Sequence, residues 1–182
     1  MNYTLSLNEL IGNKALVKLI FFFIKNPTSE FSQTELRRKV KLSKATATKW
    51  LDKLVKNYFI ILKERGVMKL YRLNAEDTLI KQLKILDNLG DLREIRKISE
   101  KINAEAYLYG SSSRGEDVEG SDIDLFLLGK VKKEDIIGDI EKLSLKINRN
   151  INVEIFTQVE WSQMARKDPA FYERVEKDKI RL

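Results

Sequence analysis

At 182 residues and 43% hydrophobic content, the chain is long enough to bury a core, as one domain or as two small ones. It has no cysteine and no histidine, which excludes disulfides, thiolate metal sites and imidazole chemistry, so any metal must be held by oxygen. The net charge of +7 is uneven: residues 1–75 carry 15 Lys and Arg against 5 Asp and Glu, and the remainder 19 against 22. A basic first part facing nucleic acid, joined to a second part with a different partner, is the expectation. The longest apolar run, ALVKLIFFFI, is broken by Lys18 and is about half the ~20 residues that span a bilayer. The opening residues also lack a signal-peptide pattern, so a cytoplasmic protein without membrane contact is predicted.

The first predicted helix lies in LIGNKALVKLIFFFIKN. Leu16, Leu19, Ile20 and Phe23 follow the spacing of a core-facing stripe, and Asn26-Pro27 ends it. Ser32 and Glu35 form a capping-box pattern ahead of LRRKV, with Leu36 and Val40 one turn apart. Ser43 is the next cap. The helix after it turns Ala47, Leu51 and Leu54 inward and leaves Lys44, Thr48, Lys49 and Lys56 near the opposite face. FIILKERGVMKLYRL then reads as two strands joined at Glu64-Arg65-Gly66.

This order of helix, short helix, basic helix and hairpin resembles a winged helix-turn-helix domain, with LSKATATKWLDKLVKNYFI as turn and recognition helix. The resemblance implies binding to double-stranded DNA. Lys44, Thr48 and Lys49 would face the major groove, and Lys63, Arg65 and Lys69 of the wing would meet phosphates. The alternative is a trihelical unit used only for packing or dimerisation.

The join follows over 76–91, where AEDTLIKQLKILDNL reads as a helix with Leu79, Leu83 and Leu86 in step, broken by Gly90. A further helix places Leu92, Ile95, Ile98 and Ile102 on one stripe. Such a stripe packs against a domain or a second copy of the chain, and a homodimer is expected from it. There is no internal repeat and no low-complexity linker.

After Ile102 the pattern turns α/β: strand AEAYLY, turn and short helix GSSSRG, strand SDIDLFLLG, helix KEDIIGDIEKLSLKI, strand INVEIF. Three central strands with helices on one side are expected. Alternation puts Asp122 and Asp124 on one face of their strand, with Ile123 and Leu125 toward the core. Two carboxylates so close repel unless a cation compensates them. Glu116, Asp117 and Glu119 fall on the intervening loop and read as solvated.

The Gly-Ser turn followed ten residues later by Asp-x-Asp resembles the signature of the DNA polymerase β-type nucleotidyltransferase superfamily. GSSSRG with SDIDL is similar to the minimal nucleotidyltransferases, over about residues 92–182. The fold class expected for the whole chain is therefore α+β. A winged helix-turn-helix over 1–75 and a connecting helix over 76–91 would precede a small mixed-sheet α/β nucleotidyltransferase domain over 92–182.

The resemblance implies a nucleoside triphosphate, ATP favoured, as donor and Mg²⁺ as cofactor, with pyrophosphate leaving. Asp122 and Asp124 would hold the metal, while Gly110, Ser111, Arg114 and Ser121 would form the nucleotide-binding set, Arg114 either adding charge or bracing the acidic strand. Glu154, on the polar side of INVEIF, is the third carboxylate for metal and catalysis, where the family most often has Asp. The expected activity is transfer of AMP to a hydroxyl of a protein or small molecule. The alternatives are a transcriptional regulator that only senses nucleotide, and a protein that neutralises a separately encoded helical toxin.

Overall fold

The computed structural model describes residues 5–182, which fall into two compact units, one up to Ile80 and one from Lys81. The first unit begins with α1 (Leu7–Gly12) and α2 (Lys14–Ile24), the latter capped by Asn13, whose side chain accepts from the Ala15 and Leu16 amides. β1 (Phe31–Ser32) leads into α3 (Gln33–Val40), where Ser32 and Glu35 form the expected capping box. α4 (Lys44–Lys56) starts at Ser43, whose hydroxyl accepts from the Thr46 amide. β2 (Ile60–Arg65) and β3 (Met68–Leu73) complete a sheet ordered β1-β3-β2.

The stripes read from the sequence are the ones buried. Leu16, Leu19, Ile20 and Phe23 of α2, Leu36 of α3 and Ala47, Leu51 and Leu54 of α4 are all at most 1% exposed. Trp50 joins them at 5%, because a wide apolar face rather than a narrow stripe meets the core. Each fully buried Leu, Ile or Phe contributes roughly 1.5–3 kcal/mol. The hairpin turns one position later than expected. Arg65 pairs with Met68, so Gly66 and Val67 form the connection, and Gly66 takes φ +61°.

The second unit starts within α5 (Thr78–Asp91), followed by α6 (Ile95–Lys101) and β4 (Glu105–Tyr109). The one-turn α7 (Ser111–Arg114), β5 (Ile123–Leu128), a short 3₁₀ turn, α8 (Ile137–Ile147) and β6 (Ile151–Phe156) come next. α9 (Gln158–Lys167), α10 (Pro169–Asp178) and β7 (Ile180–Arg181) have no counterpart among the expected elements. The sheet order is β6-β5-β4-β7, with β5 and β6 parallel across the α8 crossover and the other pairs antiparallel.

The sheet is covered on both faces: Leu108, Ile123, Leu125 and Leu127 pack with α5, α6 and α8 residues, whereas Phe126 packs on Trp161 and Val175 of α9 and α10. Phe126 and Trp161 rings lie 4.3 Å apart, so this aromatic layer replaces the solvent expected on that side. Gly90 lies inside α5 rather than breaking it. On α5, Ile80 and Leu83 are buried while Leu79 and Leu86 are exposed. Leu92 and Ile95 are buried in the core of their own unit, with half-buried Ile98 and Ile102 packed against it, so this stripe serves packing within the domain, one of the two uses expected of it. Among the described residues no helix is long and apolar enough to cross a membrane.

Candidate active site

The chain leaves β4 at Gly110 with φ +76° and ψ −153°, a conformation essentially reserved for glycine. The antiparallel ladder sets Tyr109 opposite Asp124, and a Cβ on Gly110 would lie 2.6 Å from Asp124 Oδ2. The backbone conformation demands glycine, any side chain there would displace the Asp124 carboxylate, and the bare backbone forms one wall beside it.

Asp122 and Asp124 are half-buried and converge, as the alternation predicts. The Asn152 amide spans them, its Nδ2 donating to Asp122 Oδ2 at 3.2 Å and to Asp124 Oδ1 at 3.3 Å. Neither aspartate has an ion-pair partner among the described residues, so the cation that the repulsion argument calls for is not supplied by a side chain.

The parallel register pairs Asp124 with Asn152 and Phe126 with Glu154. Glu154, exposed and opposite Phe126, therefore stands one pleat beyond the pair, and among the described residues no three acids gather closely enough to hold a metal ion. A cleft of about 490 Å³ joins these groups, lined by Tyr109, Asp124, Asn152, Glu154, Lys133 and Glu141 over an aliphatic floor. Burial, reinforced by the Asp124 and Glu154 charges, pushes the Tyr109 phenol up to about 12. Two convergent carboxylates without an ion-pair partner among the described residues form a hard oxygen donor pair that fits a small divalent cation.

The sequence model of the family described as nucleotidyltransferase domain matches residues 90–181, half of the chain. The chain belongs to this nucleotidyltransferase family. Membership implies a nucleoside triphosphate substrate and supports nucleotidyl transfer in general, and such domains generally use divalent metals such as Mg²⁺. No curated protein matches. Among solved structures, a crystal structure described as a candidate nucleotidyltransferase from Sulfolobus solfataricus is 21% identical, covering 56% of this chain and 85% of that one. Its TM-score of 0.34 is too low to carry an argument.

Within the nucleotidyltransferase domain the remaining expected residues take different places. The Ser111 hydroxyl has no partner among the described residues, while the Ser121 hydroxyl accepts from the Val118 amide at 2.9 Å. Arg114 turns away from the acid pair: Nε donates to Glu116 at 2.8 Å and Nη1 to Asp178 of α10 at 2.7 Å. These two acids, Glu116 first, raise its pKa. It thus ties the α7 turn to the last helix, a contact that is neither of the two roles expected of it.

Sequence reasoning missed the polar hub beneath the site. Asp117, expected to be solvated, is 7% exposed and pairs with Lys84 Nζ at 3.4 Å and Arg149 Nη1 at 3.1 Å. Asn88 donates to the Ser112 carbonyl at 3.0 Å and accepts from Arg149 Nη1 at 2.9 Å. Arg149 also donates from Nε to the Ser121 carbonyl at 2.9 Å, and from Nη2 to Ser112 Oγ at 3.1 Å and the Asp122 carbonyl at 3.4 Å. The spacing of Lys84 and Asn88, one turn apart on α5 facing a loop, was the available signal, but charged residues on a helix ordinarily read as its wet side.

In the first unit, Lys44, Thr48 and Lys49 are exposed along α4. Thr48 Oγ1 accepts from Gln33 at 2.5 Å, and the Lys49 ammonium stands 4.6 Å from the Trp50 ring centroid. On the hairpin, Lys63 and Arg65 both reach Glu30, at 2.6 and 3.4 Å, and Lys69 lies 3.7 Å from Glu64. The Lys63 hydrogen bond, ahead of the other nearby cations, holds Glu30 below its usual pKa. Most of the hairpin's positive charge is therefore already matched by acids; on α4 Lys53 pairs with Glu9, whereas Lys44 and Lys49 have no acid partner among the described residues.

Proposed function

We propose that the chain transfers a nucleotidyl group, AMP from ATP favoured, to a hydroxyl of a protein or small molecule, with Mg²⁺ held by Asp122 and Asp124. The observation that carries this reading is the pair of convergent carboxylates, without a side-chain ion-pair partner among the described residues and with the Gly110 backbone against one of them. The metal, when bound, supplies charge neutralisation of the triphosphate and a lowered pKa for an attacking hydroxyl. The chain's own residues do the rest. Gly110 leaves room for phosphate, the unpartnered Ser111 hydroxyl donates to it, and Ser121 holds the loop entering the acidic strand. Glu154, which lines the same cleft as Asp124, takes the acceptor's proton as the acceptor oxygen bonds to the α-phosphorus and the bond to pyrophosphate breaks.

A second reading is favoured by the position of Glu154 outside any three-acid group: the domain senses nucleotide, and DNA occupancy is the output. Replacing Glu154 by Gln separates the two. A transferase keeps its Mg·ATP-induced stabilisation in Glu154→Gln but loses labelling of the acceptor from α-labelled ATP by at least about a hundredfold, as expected for loss of a general base. A sensor labels nothing in either form, and ATP instead alters its DNA affinity, with the reciprocal effect of DNA on ATP. Labelling at the wild-type rate in Glu154→Gln would show that another group takes the proton.

The first unit is read as a winged helix-turn-helix that binds double-stranded DNA. Support comes from the helix order, the three-stranded β1-β3-β2 sheet, and exposed Lys44, Thr48 and Lys49 on α4. Because Lys63, Arg65 and Lys69 are matched by acids, α4 carries more of the binding than the hairpin. Lys49→Ala and Lys44→Ala are expected to weaken binding several-fold and to lower the salt slope by about one each, leaving the ATP-dependent melting shift intact. Absence of binding to any duplex at low salt would make this unit an assembly module.

A further inference from the structure

We propose that Arg149 is the positioning residue of the active site, setting the Gly-Ser turn and the Asp122–Asp124 pair in register with one another. The guanidinium presents five N–H donors in a fixed plane. Here four hydrogen bonds leave it, from Nε to the Ser121 carbonyl, from Nη1 to Asn88 and from Nη2 to Ser112 Oγ and the Asp122 carbonyl, and Nη1 also stands 3.1 Å from the Asp117 carboxylate as an ion pair. Two of those acceptors are the main-chain groups that begin the acidic strand, and a third is a side chain of α7, which follows Gly110 directly. One planar group therefore ties the phosphate-facing turn to the metal-facing strand.

The hub is anchored in turn. Asn88 also donates to the Ser112 carbonyl and Lys84 to Asp117, so α5 fixes Arg149 from behind. The Arg149 side chain is 16% exposed and that of Asp117 9%, which keeps competing water largely away. Outer groups that orient metal ligands typically change metal affinity by about 10–100-fold when removed. Lysine keeps the charge of Arg149 but offers a point donor with no plane, and it cannot serve the Ser121 carbonyl, Ser112 and Asp117 together.

The inference rests on Asp122 and Asp124 as cation ligands. The test is titration of the full chain with Mn²⁺ alone, following the free-ion electron paramagnetic resonance signal well below the melting temperature. Arg149→Lys is expected to weaken Mn²⁺ binding about tenfold or more while circular dichroism remains that of the wild type. Ser112→Ala, a small change that removes one acceptor of the fork, is expected to weaken it about threefold, and it decides the matter if Arg149→Lys does not fold. Wild-type affinity in every folded variant overturns the proposal. A wild type that takes up no Mn²⁺ overturns the ligand assignment itself, and the role of Arg149 with it.

Discussion

Lys84→Met is expected to destabilise the second unit by about 3 kcal/mol, at the lower end of the 3–5 kcal/mol typical of breaking a buried ion pair from one side. Lys84 is 3% exposed and Asp117 7%, and the ammonium meets both the Asp117 carboxylate and its carbonyl. Removing the ammonium leaves a buried carboxylate and a buried carbonyl without that donor. Two effects limit the damage. Methionine fills nearly the same volume, so little cavity forms, and Arg149 still faces Asp117 at 3.1 Å. Replacing Asp117 by Asn in the same chain should recover part of the loss, because the stranded charge is then gone. The measurement is urea unfolding followed by Trp161 fluorescence in a Trp50→Phe background, which reports on the second unit. A cost below about 1 kcal/mol would mean that Lys84 and Asp117 do not act as a desolvated pair.

Asp124→Asn and Asp122→Asn are expected to separate stability from ligand binding. Without ligand, each variant should be as stable as the wild type or slightly more so, since one of two crowded charges is removed and Asn152 remains as a neutral partner. With Mg·ATP at a hundredfold excess over its Kd, the wild type should gain about 2.7 kcal/mol by mass action. The variants should gain close to nothing, because the remaining carboxylate holds the cation too weakly. A substantial loss of unliganded stability would identify the aspartates as structural. An undiminished ATP response in the double variant would remove them from the site.

How far these features were legible depends on whether a residue's environment is set by its neighbours in sequence. The stripe Leu16, Leu19, Ile20, Phe23 and the caps at Ser32 and Ser43 were readable because the helix period and the cap geometry are local. So was the shared face of Asp122 and Asp124, which follows from strand alternation. α9 and α10 carried local signals as well, a Thr157–Glu160 capping box and Asp168 ahead of Pro169. Those signals show that helices form there but not that they fold back over Phe126, which is a tertiary fact.

Arg149, Lys84 and Asp117 were not legible. Their partners lie 33 and 61 residues away in sequence in the cases of Asp117 with Lys84 and Asn88 with Arg149, and no periodicity distinguishes a buried charge from a wet one. Asn152 shares the polar side of INVEIF with Glu154 by alternation, but its contact with both aspartates depends on the β5–β6 register, which the sequence does not specify.

Covalent transfer from α-labelled ATP in the presence of Mg²⁺ and cell extract, compared between the wild type and the Asp122→Asn, Asp124→Asn double variant, tests the carboxylate pair most directly. Label is expected in an acceptor with the wild type, accompanied by pyrophosphate, and is expected to fall by at least about a thousandfold in the double variant, the ~4 kcal/mol of lost transition-state stabilisation that follows from removing the metal site. Equal labelling by both proteins would contradict the assignment of the Asp122 and Asp124 carboxylates as the centre of the reaction.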